Sequence, residues 1–190
     1  LQIARMDNSE LPLDRKRLPL GEFLEEAFSE NRFIVEHTGR VFKADIAAEA
    51  GQRWAYGDKQ LLRRLIGNLV LNAVEHSPDG ASVTMGVRPS TKDTKSLDIF
   101  VHNEGAPILK AQLVSIFEKY VGFGDAVRNV GLGLAFCQLV AKNHHGRLSV
   151  ESEGATGTTF TLTLPTSSQA MAAKSSPDEP ADKTGPELES

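Results

Sequence analysis

Apolar residues in this chain recur at two spacings, three to four residues apart in some stretches and two apart in others. The changes of spacing mark out the elements. Residues 20–36 carry Phe23, Leu24, Ala27, Phe33 and Ile34 at helical spacing. Residues 61–77, LLRRLIGNLVLNAVEHS, repeat the pattern with Leu61, Leu62, Leu65, Ile66, Leu69 and Ala73. Asp58 stands near the start of that helix, where a carboxylate meets the positive end of the helix dipole. Residues 132–144 read as a third amphipathic helix, ended by Gly146, and residues 108–120 as a shorter one. Alternation predicts strands at residues 40–47 (RVFKADIA), 82–88, 96–102 (SLDIFVH), 147–151 and 158–164. Ser77-Pro78-Asp79-Gly80 is a turn signal. Strands gathered in hairpins exclude a Rossmann pattern. They predict an α+β fold, a two-layer α/β sandwich with a mixed, mostly antiparallel sheet and about three helices on one face.

The 190 residues, 40% of them hydrophobic, suffice for one well-buried core. Pro12 and Pro19 interrupt any continuous helix near the start, so residues 1–19 read as a helix end followed by a linker. Residues 20–165 read as the folded domain. Residues 166–190 turn to Ser, Ala, Pro and acids, a composition expected to stay disordered. The net charge of −4 and the lack of a basic block argue against a nucleic-acid partner. Cys137 is the only cysteine, which excludes an intramolecular disulfide and a cysteine-based zinc site and points to a reducing, cytoplasmic setting. No apolar run approaches the roughly 18 residues of a membrane span, and no secretory leader opens the chain. A longer parent protein can still be membrane-anchored.

Candidate chemistry begins at the edge of the second helix. Asn68, Asn72 and Glu75 project within roughly 60° of one another, beside the apolar stripe. Amides in that position call for a polar neighbour. Two carboxamides and a carboxylate offer hard oxygens that can hold a hydrated divalent cation. Asn103-Glu104-Gly105 follows a strand directly; glycine lets the backbone approach a flat ligand, and Asn103 offers both an acceptor and a donor. The same triplet alone is also an ordinary turn. Residues 129–134, NVGLGL, open a helix with glycines whose exposed N–H groups favour an anion, although a flexible loop has the same look.

Taken in order, these segments resemble the ATP-binding catalytic domain of sensor histidine kinases, a member of the Bergerat-fold (GHKL) superfamily shared with DNA gyrase, a heat-shock chaperone family and mismatch-repair ATPases. The resemblance covers roughly residues 18–165. Residues 68–73 (NLVLNA) resemble the N-box, 103–108 (NEGAPI) the G1 box, 116–120 (IFEKY) the F-box and 131–134 (GLGL) the G2 box. Residues 157–165 resemble the closing strand. The resemblance implies that Asn72 is a magnesium ligand and that Asn68, near the phosphates and metal, and Glu75 form the catalytic end. It implies nucleotide contacts from His76 on the phosphate and sugar side, Asn103 at the adenine amine, Gly105, Ile108, Tyr120 and a supporting Thr158. Residues between Tyr120 and Gly131 would form the lid, with Arg128 its obvious cation, and the N–H groups of Gly131, Leu132, Gly133 and Leu134 would cradle phosphates. The implied cofactors are ATP and Mg2+. The implied partners are a dimerisation and phospho-acceptor domain of the same parent protein, itself a homodimer, and a response-regulator receiver domain.

The chain departs from the family pattern in places. Asn103 stands for the usual aspartate, keeping the acceptor and losing its charge. Pro107 replaces the second G1 glycine, Asn129 stands where G2 commonly opens with glycine, the lid is short, and Glu75 takes a position often basic. None of the five histidines, His37, His76, His102, His144 and His145, is followed by the acidic residue that marks the phospho-acceptor helix. The acceptor is therefore expected on another domain. Two alternatives stay open: a nucleotide-free docking or regulatory module on the same fold, and an anti-sigma-factor-like serine kinase.

Overall fold

The structure, a computed structural model, describes residues 11–113, 115–118, 132–152 and 156–166. Five strands form its main sheet: β2 (Val41–Ile46), β4 (Ser82–Pro89), β5 (Ser96–Asn103), β6 (Arg147–Ser152) and β7 (Thr158–Pro165). Their order is β2-β4-β5-β7-β6, with β2 parallel to β4 and every other pair antiparallel. Alternation sends Val83, Met85, Val87, Leu97, Ile99, Val101, Phe160 and Leu162 into the core, all at most 1% exposed. The other face closes on itself. Arg88 lies over the Phe100 ring at 4.8 Å, and the Thr163 hydroxyl donates to Asp98.

Three long helices cover the inner face. Helix α1 (Leu20–His37) lies against β2, α3 (Lys59–Glu75) against β4 and β5, and α5 (Gly133–Asn143) against β6 and β7. Helix α3 is the middle one, packed on both neighbours. Its Leu62, Leu65, Ile66, Leu69 and Val70 are at most 1% exposed, and burial of each contributes about 2 kcal/mol. The expected two-layer sandwich with a mixed sheet is thus the observed fold.

Some details differ from expectation. On α1 the buried stripe runs through Leu20, Phe23, Leu24, Ala27, Asn31 and Val35. Phe33 and Ile34 are exposed, and Phe33 stacks on His37 instead. Asn31 joins the stripe because its amide donates to the Ala27 carbonyl, one turn back. Residues 108–120 do not form one helix: α4 is only Lys110–Leu113, followed by turns over residues 115–118. Ile116 is buried in the core and Ile108 and Phe117 pack against it, while Leu109 is exposed. Two short elements went unforeseen, α2 (Ala48–Gly51) and β3 (Trp54–Gly57). Gly146 is not the left-handed residue that ends α5. His145 is, at φ 55°, with its own N–H bonded to Lys142 O and that of Gly146 to Ala141 O.

The segment read as linker is part of the fold. Strand β1 (Lys16–Pro19) pairs antiparallel with β3, and Arg17 lies over the Trp54 ring at 3.8 Å. Before β1 the chain is laid across two helix ends. Leu11 N–H donates to the Asn143 side chain, Arg15 donates to the Asn143 carbonyl, and Asp14 N–H donates to Asp58 Oδ2. Beyond β7, Thr166 bridges to Ala55. Residues 1–10, the first part of the expected helix end and linker, and the tail beyond Thr166 lie outside the described residues.

His144 fastens the end of α5 to the start of α3. It is 2% exposed; Nδ1 lies 2.8 Å from the Val140 carbonyl, and Nε2 lies 2.9 Å from Asp58 N. A carbonyl only accepts, so Nδ1 carries the proton and Nε2 accepts from the Asp58 N–H. Protonating Nε2 would set two donors face to face. Burial, with Arg15 and His145 adding to it against the pull of Asp58 and the Val140 carbonyl, holds the His144 pKa below 6.5. The unfolded chain therefore binds the extra proton first. The neutral ring's stabilising effect is complete above pH 6.5 and is lost as pH falls towards the folded-state pKa, by at most about 1.4 kcal/mol per pH unit. Thermal unfolding from pH 7 to pH 5 is expected to show a lower midpoint at acid pH for the native chain. A His144→Gln variant should be less stable at pH 7 and less pH-dependent across that range.

Candidate functional site

Asp58 starts the helix that carries the site. Its Oδ1 accepts from the N–H groups of Gln60 and Leu61, which would otherwise be orphaned at a helix start. From this anchor α3 runs with its apolar stripe in the core and Asn68, Asn72, Glu75 and His76 along an adjoining line. Asn68 and Asn72 are half-buried; Glu75 and His76 are exposed. From Asn68 to His76 the line extends about 12 Å.

At one end of that line lies the start of α5. The Asn68 carboxamide carbon is 4.0 Å from the place a Cβ on Gly133 would take. Leu132, at the N-cap of α5, supplies no side-chain acceptor for the first N–H groups. An α-helix N-terminus of this kind favours an anion. Arg64, one turn before Asn68 on α3, lies with its guanidinium 4.4 Å over the Phe136 ring of α5 and adds positive charge to the same end.

At the other end lies the turn after β5. Asn103 is 2% exposed, sits between Val83 and Thr158 in the sheet, and donates weakly from Nδ2 to the Glu104 carbonyl. Gly105 abuts the end of α3: a Cβ there would lie 2.3 Å from the His76 carbonyl oxygen. Only glycine lets these two backbones meet. Gly157, at φ 92°, plays the same part opposite, since a Cβ would lie 2.0 Å from the Asn103 carbonyl oxygen. Ser152 ties the corner together. Its hydroxyl accepts from Ile108 N–H and lies 2.8 Å from the Thr158 hydroxyl.

The structure therefore brings Asn68, Leu132, Gly133 and Leu134 together at the middle of α3, and His76, Asn103, Gly105, Ile108 and Thr158 at its C-terminal end, with Asn72 and Glu75 between. Tyr120, Arg128 and Gly131 lie outside the described residues. Ser152 and Arg64 were missed. Nothing local marks Ser152, whereas Arg64 could have been found four residues before Asn68 on the same helix face. Among the described residues no three His, Cys, Asp or Glu side chains converge as a metal cage. The donor set here is amide oxygen with a nearby carboxylate. It fits a hard divalent ion that keeps its waters and is shared with ligand oxygens.

The family model described as "Histidine kinase-, DNA gyrase B-, and HSP90-like ATPase" matches residues 57–168. The chain is 31% identical over 169 residues to "Sensor-like histidine kinase SenX3" of Mycolicibacterium smegmatis, covering 87% of this chain and 42% of that protein. It is 25% identical over 167 residues to "Adaptive-response sensory kinase SasA" of Microcystis aeruginosa, again 87% of this chain and 42% of that one. The chain thus spans well under half the length of these curated relatives. Among solved structures, the catalytic domain of histidine kinase ThkA superposes with a TM-score of 0.69 at 20% identity, covering 80% of this chain and 97% of that one. Full-length ShkA in complex with AMPPNP superposes with a TM-score of 0.73 at 18% identity, covering 86% and 34%.

Two glycine substitutions separate backbone strain from close approach. Gly157→Ala is expected to lower the unfolding free energy by about 3 kcal/mol, from positive φ and collision with Asn103 together. Gly39→Ala, at φ 76° with no atom within 4 Å, should cost about 1 kcal/mol. Urea unfolding midpoints check both.

Proposed function

The chain belongs to the family of histidine kinase-, DNA gyrase B- and HSP90-like ATPases, and from that premise we propose that it is the ATP-binding catalytic domain of a two-component sensor histidine kinase. It binds Mg-ATP and presents the γ-phosphate to a histidine on a separate dimerisation domain of its parent protein. The observation that carries the reading is the placement of Asn68 against the start of α5, at one end of a polar line whose other end is closed by Asn103 and Gly105.

In this reading the triphosphate lies along α3. Phosphate oxygens meet the N–H groups at the start of α5, and the base meets Asn103, held in place by its own donation to Glu104 and by the Ser152–Thr158 pair behind it. Asn72 and Asn68 supply amide oxygens where magnesium accompanies the phosphates. When bound, magnesium neutralises charge on the phosphate oxygens. The protein's contribution is then positioning, with no covalent step on its own side chains. The Asn103 amide accepts from an exocyclic amine with a neutral oxygen, a weaker grip than a carboxylate's.

The proposal extends to the parent protein. Its partners would be a dimerisation and phospho-acceptor domain in a homodimer and a response-regulator receiver domain, with this domain in the cytoplasm. Among the described residues no helix is long and apolar enough to cross a membrane.

Saturable, magnesium-dependent binding of a fluorescent ATP analogue is expected. A folded sample that shows none at millimolar nucleotide overturns the reading and favours a nucleotide-free docking module. Asn72→Ala should abolish the magnesium-dependent part of binding while shifting stability by no more than about 0.5 kcal/mol, because the side chain is outside the core. Calorimetric titration with and without magnesium reads both quantities. Asn103→Asp should tighten adenine nucleotide binding about five-fold. It should also lower the midpoint of the nucleotide-free domain, since a carboxylate at this buried position cannot donate to the Glu104 carbonyl.

A further inference from the structure

Helices α3 and α5 run antiparallel. The start of α3 is bonded to the end of α5 through Asp58 and His144, and Asn68 lies beside Gly133 at the start of α5. Arg64 is one turn before Asn68 on the same face. It stands level with the first turn of α5, and its guanidinium lies 4.4 Å over the ring of Phe136. Phe136 closes that turn, its N–H donating to the Leu132 carbonyl at 2.9 Å, and is itself buried. The N–H groups before it are those a helix start leaves without an intrahelical acceptor.

Two neighbouring arginines of α3 differ. Arg63 is paired with Glu30 of α1. Arg64 is exposed, and among the described residues no carboxylate pairs with it. The aromatic ring takes one face of its planar guanidinium and fixes where the group lies. The N–H donors project from the edge of that plane, in a fork suited to phosphate oxygens. Charge along this face of α3 is graded. Arg64 stands at one extreme, the amides of Asn68 and Asn72 in the middle, and the Glu75 carboxylate towards the other. A chain of phosphates whose base sits at Asn103 passes Glu75 first and ends towards Arg64. Its most highly charged phosphate is thus carried away from the carboxylate and towards the cation.

We propose that Arg64 grips the terminal phosphate: seated on the Phe136 ring, its guanidinium donates to oxygens of the third phosphate, which a diphosphate lacks. This rests on the Mg-nucleotide reading of the site. It goes further in assigning the discrimination of ATP from ADP to one side chain outside the motifs legible in the sequence.

Arg64→Met and Arg64→Lys in the whole chain test it. Methionine keeps an unbranched stem against the Phe136 ring and removes the charge; lysine keeps the charge and loses the fork. Arg64→Met should keep its unfolding midpoint, bind Mg-ATP about ten-fold more weakly and bind Mg-ADP within about two-fold of the native chain. Arg64→Lys should be about three-fold weaker for Mg-ATP alone. Calorimetric titration with each nucleotide reads these affinities. Equal weakening for both nucleotides, or native affinity for Mg-ATP in the methionine variant, overturns the assignment and leaves the nucleotide site standing. A native chain that binds neither nucleotide overturns the nucleotide reading and the assignment together. If a variant fails to fold, NMR of the native chain decides. The Arg64 Nε–H resonance should shift on saturation with Mg-ATP and keep its nucleotide-free position with Mg-ADP. A comparable shift with both, or none with either, overturns the assignment.

Discussion

Asp58 is the group on which the rest of the arrangement depends. One carboxylate oxygen accepts from the first N–H groups of α3, the other from Asp14 in the leading segment, and its own N–H is donated to the ring of His144 at the end of α5. Three parts of the chain, 44 and 86 residues away from it in the case of Asp14 and His144, thus meet within one residue's reach. Charge at a helix N-terminus is favourable, and each bond satisfies a donor that burial would otherwise leave orphaned. The consequence is directional. With the start of α3 pinned to the end of α5, the two helices run past each other so that the middle of α3 meets the start of α5. The amide-bearing face of one helix therefore faces the open end of the other.

The base end of the site is set by main chain, by a different kind of constraint. Gly105 against the His76 carbonyl and Gly157 against the Asn103 carbonyl are contacts in which no side chain fits. They fix the turn after β5 relative to α3 and β7 whatever the surrounding residues are. Side chains at Asn103 or Pro107 can change while the geometry that presents them is held by backbone.

What was legible in the sequence follows from the range of the forces involved. The sheet strands and the three long helices were readable because apolar period is a local property, and Asn68, Asn72 and Asn103 stood out because each breaks such a period or ends it. Strand β1 was not readable. Its partner lies 35 residues away in the nearest pair, Pro19 against Trp54, and four residues carry too little alternation to compete with two prolines. His145 was passed over for Gly146 because glycine is the default left-handed residue. Here the close approach of Gly146 to the Thr163 carbonyl calls for the glycine instead. Ser152 was invisible because it matters through contacts with other elements, the Ile108 N–H and the Thr158 hydroxyl, and does not differ locally from an ordinary strand residue.

Two contacts at the base end of the site act in one way. Each occupies one polar valence of a residue that faces the site and leaves the other. Ser152 engages the Thr158 hydroxyl, and the Glu104 carbonyl takes an N–H of Asn103. An amide with both ends free could turn either face to a ligand and would lose orientational freedom on binding. One with an end already engaged binds with a single face at less entropic cost. Among the described residues no buried side-chain nitrogen or oxygen lacks a partner. The polar capacity left for a ligand therefore lies on the accessible side of the site, and ligand chemistry is selected by which atom of each residue the protein has left uncommitted.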